Sequence, residues 1–211
     1  MPDIRQYNSK TNANTQTGSS KLQDKVVSSE SEKLILVDES DNEVGYLSKA
    51  ACHDGAGLLH RAFSVFIFNA NGQLLLQQRG KNKRLWPEFW SNSCCSHPRQ
   101  GESMQVATKR RLLEELGVAV ELDYVYKFRY QVPFGDKGSE HELCSVYLGR
   151  CTQDIRPNVT EIEAIRFVSA EELDAEFDDH ADSFTPWFKQ EWTELMSQYK
   201  NSLSAYLSQD G

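Results

Sequence analysis

The chain predicts an α+β fold: one domain in which a mixed sheet packs between helices. Three observations point there. Strand-like and helix-like segments follow one another without the regular alternation of a doubly wound parallel sheet. The 211 residues are 39% hydrophobic, enough chain and enough apolar mass for a single sizeable core. No internal repeat divides the sequence into stacked units.

Residues 1–30 are rich in Asn, Ser, Thr, Gln and Lys with no apolar run, and read as a disordered N-terminal arm ahead of a domain over 31–211. Residues 34–37 predict a strand, 40–42 a turn and 44–47 the returning strand. Residues 60–68, rich in Phe, Val and Ile, predict a long strand, followed by the hairpin signal Asn71-Gly72 and a return over 74–78. The helix signal is strongest over 103–116. There Val106, Leu112, Leu113 and Leu116 supply an apolar stripe, and Gly117 suits the left-handed residue that closes a helix. Strands are expected over 118–122, 125–131 and 142–149, with a loop at 134–138, and again over 165–168. Ser169 and Glu172 form a capping box for a short helix. Thr185 caps a final helix with Pro186 in its first position and Trp187, Trp192, Leu195, Tyr199, Leu203 and Tyr206 among its anchors.

Composition narrows the function classes. Lys and Arg total 23 against 31 Asp and Glu, a net charge of −8, which argues against a protein that grips nucleic acid through general basicity. No apolar run approaches the roughly 18 residues of a membrane span, so no membrane partner is expected. The five cysteines are odd in number, Cys94 and Cys95 are adjacent, and no C-x-x-C pair occurs, so a disulfide framework is not expected. The expected compartment is the cytoplasm; the final Ser208-Gln209-Asp210-Gly211 is not a peroxisomal signal.

Three groups of residues carry chemistry. Glu140, Glu142, Cys144, Val146 and Leu148 share one strand face, so two carboxylates lie on a face that turns apolar and enters the interior. There they need a cation, or one of them stays protonated and can serve as an acid or base. His53, His60 and His97 are three of five histidines, and with the two carboxylates they make an N₃O₂ donor set suited to a divalent ion. His141 and His180 are expected at the surface. Residues 79–84 hold four cations in six positions of an acidic chain, a donor set for phosphate.

The segment 96–118 resembles the Nudix box, a loop–helix–loop whose pattern is Gly, five residues, Glu, seven residues, Arg-Glu, apolar, any, Glu-Glu, any, Gly, apolar. Glu102, Arg110, Leu112, Glu114, Glu115, Gly117 and Val118 fall on its register. Carboxylates projecting from one helix suit Mg²⁺, which takes oxygen ligands and bridges to phosphate. Two positions depart: Ser96 stands for the first Gly and Arg111 for the Glu after the box Arg. A cation in place of a ligand anion predicts that the Nudix-type mixed sheet survives while the usual hydrolysis does not.

Around the box, His53, the run 57–63, the run 91–98, Phe128-Arg129-Tyr130, the run 140–144 and Thr185-Pro186-Trp187-Phe188 occur in an order similar to that of type I isopentenyl-diphosphate isomerases, over roughly residues 34–192. The resemblance implies interconversion of isopentenyl and dimethylallyl diphosphate, a 1,3 shift of a proton and double bond. It implies one divalent metal, Zn²⁺ or Mn²⁺ with Mg²⁺ a further option, on His53, His60, His97, Glu140 and Glu142. It also implies Mg²⁺ against the diphosphate on Glu115, and no flavin. Cys95 and Glu142 become the acid–base pair on opposite faces of the substrate, with Tyr130 assisting at Glu142 and the Trp187 ring facing the carbocation. Lys49, Arg79, Lys83 and Arg111 face the diphosphate, so Arg111 exchanges a metal ligand for a phosphate donor. Cys94 and the remaining cysteines pack. The expected partner is a small isoprenoid diphosphate bound by a monomer or weak dimer. Two readings compete: a Nudix pyrophosphohydrolase, which Arg111 opposes, and a binding module with zinc on Cys94, Cys95, His97 and Cys144, which the adjacency of the two cysteines opposes.

Overall fold

A computed structural model describes residues 25–208. The elements run β1 (Lys33–Val37), β2 (Glu43–Ser48), α1 (Lys49–His53), β3 (His60–Phe68), β4 (Leu74–Arg79), β5 (Trp90–Ser91), β6 (Cys94–Ser96), α2 (Met104–Leu116), β7 (Leu122–Pro133), β8 (Ser139–Arg150), β9 (Ile162–Val168), α3 (Ala170–His180), α4 (Pro186–Ser197) and α5 (Lys200–Leu207). All nine strands join one mixed sheet. Strand β3 is its hub, antiparallel to β1, β4 and β6 and parallel to β8 along its whole length.

The alternation of β3 sorts the core into two layers. Phe63, Val65 and Ile67 face helix α2 and pack with Ala107, Leu112 and Leu116. Ala62, Phe66 and Phe68 face the other way, against Leu173 of α3, Trp187, Phe188 and Trp192 of α4, and Leu203 of α5. A strand buried on both faces has a nearly continuous apolar sequence, as 60–68 does. The sheet is thus packed between helices, as the sequence predicts.

Helix α2 starts at Ser103, whose side chain accepts from the Val106 amide, and stops at Gly117, which adopts φ 70° and returns its N–H to the Leu112 and Leu113 carbonyls. Its buried face differs from the expected stripe. Val106 and Leu113 are 54% and 64% exposed, whereas Arg111 and Glu115 are buried beside Ala107, Leu112 and Leu116. The helix turns an ion pair inward, and two apolar residues on its far side are left in water. The final helix also differs: it divides into α4 and α5 at Gln198 and Tyr199, and the Tyr199 ring stacks on Tyr126 at 4.5 Å. Residues 118–121 lie outside any strand, β8 and β9 begin earlier than expected, and α1, β5 and β6 are short elements that the sequence does not predict. The capping box of Ser169 and Glu172 is present on α3.

Residues 1–24, most of the expected arm, lie outside the described residues. Residues 25–30 cross the end of α2: the Val27 carbonyl accepts from Arg111 at 2.8 Å and from Arg99 at 3.2 Å, and Asn158 donates to the Lys25 carbonyl at 3.0 Å.

Candidate active site

Strand register gathers the first group of residues. In the parallel β3–β8 pair His60 lies beside Glu142, in the antiparallel β7–β8 pair Tyr130 lies beside Glu142, and in the β3–β6 pair Ser64 lies beside Cys95. Helix α1 brings His53 from the other side, ending where the 134–138 loop turns over it. Gly138 adopts φ +136° there, and a Cβ would stand 2.2 Å from the His53 carbonyl, so glycine alone permits this approach.

The ligand atoms of His53, His60, His97, Glu140 and Glu142 all fall within 4.8 Å of one another. His53 Nδ1 lies 2.7 Å from the Lys49 carbonyl and His60 Nδ1 2.7 Å from the Leu58 carbonyl. A carbonyl only accepts, so both Nδ1 atoms carry hydrogen, and each neutral ring turns the lone pair of Nε2 inward. His53 Nε2 then faces Glu140 Oε2 at 2.7 Å, and His97 Nε2 faces Glu142 Oε1 at 2.7 Å. His60 Nε2 is buried with no hydrogen-bond partner. Converging lone pairs need a cation between them, and these five residues fit a divalent metal. Without one, burial opposes charge on His53, but the carboxylates of Glu140 and Glu142 outweigh it and raise its pKa to about 9. Burial prevails at His97 and lowers it to about 4. Burial also works against the Glu142 carboxylate, yet His60 and His97 hold it well below its ordinary range.

His53, His97, Glu140 and Glu142 line one end of a cavity of about 420 Å³ together with Cys95, Tyr130 and Trp187. Tyr130 donates to Glu142 Oε2 at 2.6 Å, and burial followed by the Glu142 charge keeps its phenol protonated. Cys95 donates to Asn92 Oδ1 at 2.7 Å, and burial pushes its thiol up to about 12. Trp187 presents a buried ring with its Nε1 unpartnered, edge-on to Trp86 and with the Arg79 guanidinium 5.2 Å from its centroid.

The other end is cationic. Lys49, Arg79, Lys83 and Arg111 all line the same cavity. Arg79 is anchored by donating to the Trp86 and Leu85 carbonyls at 2.9 Å each. Arg111 donates through Nε to Glu115 Oε1 at 2.8 Å, so the carboxylate expected to face a second ion is paired with the arginine of its own helix. Lys83 pairs with Glu161, which also stands 3.7 Å from Arg111. Lys49 donates to Ser28 at 2.7 Å. Arg84, left unassigned from sequence, donates to the Lys137 carbonyl and pairs with Asp54, tying the basic loop to the 134–138 loop.

Of the predicted site residues, all but His60 and Glu115 line this one cavity; His60 is buried beside Glu142 and Glu115 is buried against Arg111. Sequence reasoning missed Glu161 and Glu191. Glu191 had a signal: it lies one turn past Trp187, in register with the apolar anchors of its helix. The box residues Glu102, Arg110 and Glu114 form a structural net, with Arg110 donating to Glu102 at 2.7 and 2.8 Å and to Glu114 at 3.1 Å. The zinc-module reading fails on geometry. Cys94 packs into the α2 layer and Cys95 against the opposite one, so adjacent cysteines point to opposite faces of β6.

This fold and cavity define a class. A model of the NUDIX domain matches residues 58–188, and the chain belongs to that family. A crystal structure of DR0079 from Deinococcus radiodurans superposes with a TM-score of 0.59 at 25% identity, covering 71% of this chain and 90% of the other. Within the class, the chain is 40% identical over 174 residues to isopentenyl-diphosphate Delta-isomerase 1 of Photorhabdus laumondii, covering 82% of this chain and 99% of the relative. It is 43% identical to isopentenyl-diphosphate Delta-isomerase of Serratia proteamaculans, covering 74% and 87%. The chain belongs to the isopentenyl-diphosphate delta-isomerase family, of the NUDIX type.

Proposed function

We propose that this protein interconverts isopentenyl and dimethylallyl diphosphate, with Cys95 and Glu142 exchanging protons with the two ends of the allylic unit. One observation carries the reading: a thiol, a carboxylate hydrogen-bonded to a phenol, and the cations Lys49, Arg79, Lys83 and Arg111 line a single cavity. The alkene is a weak base, so the proton must come from a group held against it in a site that excludes water. Addition at the terminal carbon gives a tertiary cation, and removal of a proton from the neighbouring methylene completes the shift. No atom is gained or lost. After one turnover Cys95 and Glu142 have exchanged protonation states.

Tyr130 steadies the Glu142 oxygen that receives or gives the proton. Trp187 lends its ring to the cation, an attraction of order 0.5–2 kcal/mol for ordinary cations. Lys49, Arg79, Lys83 and Arg111 hold the diphosphate, the arginines through forked donors. His53, His60, His97, Glu140 and Glu142 would hold a divalent ion, Zn²⁺ or Mn²⁺ by their imidazole content, and Glu115 would carry Mg²⁺ at the diphosphate only by giving up its pair with Arg111. Bound there, these ions supply charge neutralisation and fix the carboxylates; the substrate protons travel through the chain's own side chains.

Incubating the purified, metal-supplemented protein with isopentenyl diphosphate in D₂O tests this. Dimethylallyl product carrying deuterium is the expected result. Rapid release of phosphate with no allylic product would overturn it and favour a pyrophosphohydrolase.

A further inference from the structure

Glu191 lies wholly buried on α4, one helical turn beyond Trp187, and the reaction above does not use it. Its Oε1 is 3.6 Å from Cys144 Sγ, which is 3.5 Å from Ser64 Oγ, which is 3.4 Å from Cys95 Sγ. The line ends where Cys95 donates to Asn92 Oδ1. Ser64, Asn92 and Cys144 are each at most 1% exposed, so water does not compete for these contacts.

The groups facing Glu191 from the packed elements are Ser64 on β3, Cys95 on β6, Tyr126 on β7, and Cys144 and, further off, Glu142 on β8. None is a cation. Burial raises its carboxyl to about 8, against the partial pull of Ser64 and Cys144. At neutral pH the acid form therefore predominates, and an acid has a hydrogen to give where a carboxylate has none.

We propose that Glu191 is a positioning residue for the Cys95 thiol, setting the direction of the hydrogen-bond line that ends on it. This rests on the reading of Cys95 as an acid–base group. With the acid at its head, every donor points one way: Glu191 O–H to Cys144 sulfur, Cys144 S–H to Ser64 oxygen, Ser64 O–H to Cys95 sulfur, and Cys95 S–H to Asn92. Bonds aligned in one sense reinforce one another. The Ser64 hydroxyl then points at the Cys95 sulfur, ready to stabilise it when its proton leaves. With a carboxylate at the head, the Cys144 thiol and the Ser64 hydroxyl both turn toward it, and the Cys95 sulfur loses its donor.

The test uses the metal-supplemented protein. Glu191→Leu, which keeps volume and apolar packing, is expected to lower kcat about tenfold or more with KM unchanged, while Glu191→Gln, whose amide donates in place of the acid, stays within about threefold of the parent. An infrared difference between the parent and Glu191→Gln should carry the carbonyl stretch of a protonated carboxyl at neutral pH, a signature that altered packing does not create. Parent-like kcat in Glu191→Leu, loss of rescue in Glu191→Gln, or a carboxylate band would each overturn the proposal. Cys95→Ala separates the two levels. If it retains turnover, the reading of Cys95 fails; if it loses turnover while Glu191→Leu does not, only the role of Glu191 fails.

Discussion

The two ends of the cavity are built on opposite principles. At the proposed acid–base end Tyr130, Glu142 and His60 stand on adjacent strands, and two carboxylates are gathered with three imidazoles. Positive charge is short there. At the proposed clamp end the cations come from α1, α2, the end of β4 and the loop after it, and all four already have acceptors: Glu161 for Lys83, Glu115 for Arg111, Ser28 and Glu30 for Lys49, and the Leu85 and Trp86 carbonyls for Arg79. One end is prepared to receive a cation. The other is prepared to trade its own oxygens for those of an incoming anion, which limits the desolvation that an unpaired buried cation would suffer.

The largest effect tests which end carries the chemistry. Cys95→Ala and Glu142→Gln are each expected to lower turnover about 10³-fold with the fold intact, the range of a lost general acid or base. Product formation and thermal unfolding measured together check this; turnover within tenfold of the parent would remove the proposed distinction between the ends.

The shortage of positive charge at the first end gives a pH dependence. The metal-free His53 pKa is raised from 6.5 to about 9, so its proton stabilises the folded apo protein fully below the lower value, and that contribution is lost as pH rises through the higher one. A metal must displace this proton. Affinity is therefore expected to rise about tenfold per pH unit from neutrality toward pH 9, with one proton released per ion bound. Calorimetry in buffers of differing ionisation enthalpy measures both; affinity independent of pH would contradict the account.

At the clamp, Lys83→Met is expected to raise KM about tenfold and leave kcat nearly unchanged, since a charge that binds substrate and transition state alike affects only association. A fall in kcat of equal size would place Lys83 in the chemistry and blur the comparison. The smallest effect belongs to the outward side of α2. Leu113→Ser is expected to change stability by no more than about 0.5 kcal/mol in a denaturant titration, because the side chain is 64% exposed. A loss of several times that would mean that this face is covered.

Much of the architecture was legible. The caps of α2 and α3 and the long β3 strand are encoded over a few residues, and local periodicity and backbone conformation sufficed. The break after α4 was not legible, since no Gly or Pro marks Gln198-Tyr199 and the stacking of Tyr199 on Tyr126 is a long-range contact. The stripe on α2 misled for a related reason. Hydrophobicity placed Val106 and Leu113 inward, whereas the helix turns Arg111 and Glu115 inward because each neutralises the other and Glu161 approaches from across the cavity. In the site, the gathering of His53, His60, His97, Glu140 and Glu142, and the place of Cys95 in the cavity, were legible from residue type, spacing and family resemblance. Glu161 was not, because its significance depends wholly on the lysine and arginine that folding brings beside it.

By itself the sequence determined which segments become strands or helices, which faces of them are apolar, and which residue types are available for chemistry. These depend on neighbours within a turn or a strand pair. Only the tertiary structure decided that β8 lies parallel to β3 in the register that sets Glu142 beside His60, and that β6 sets Cys95 beside Ser64. Parallel pairing between distant segments is selected by covering both faces of the sheet with helices, and that requirement is met by the assembled core and not by any local run of residues.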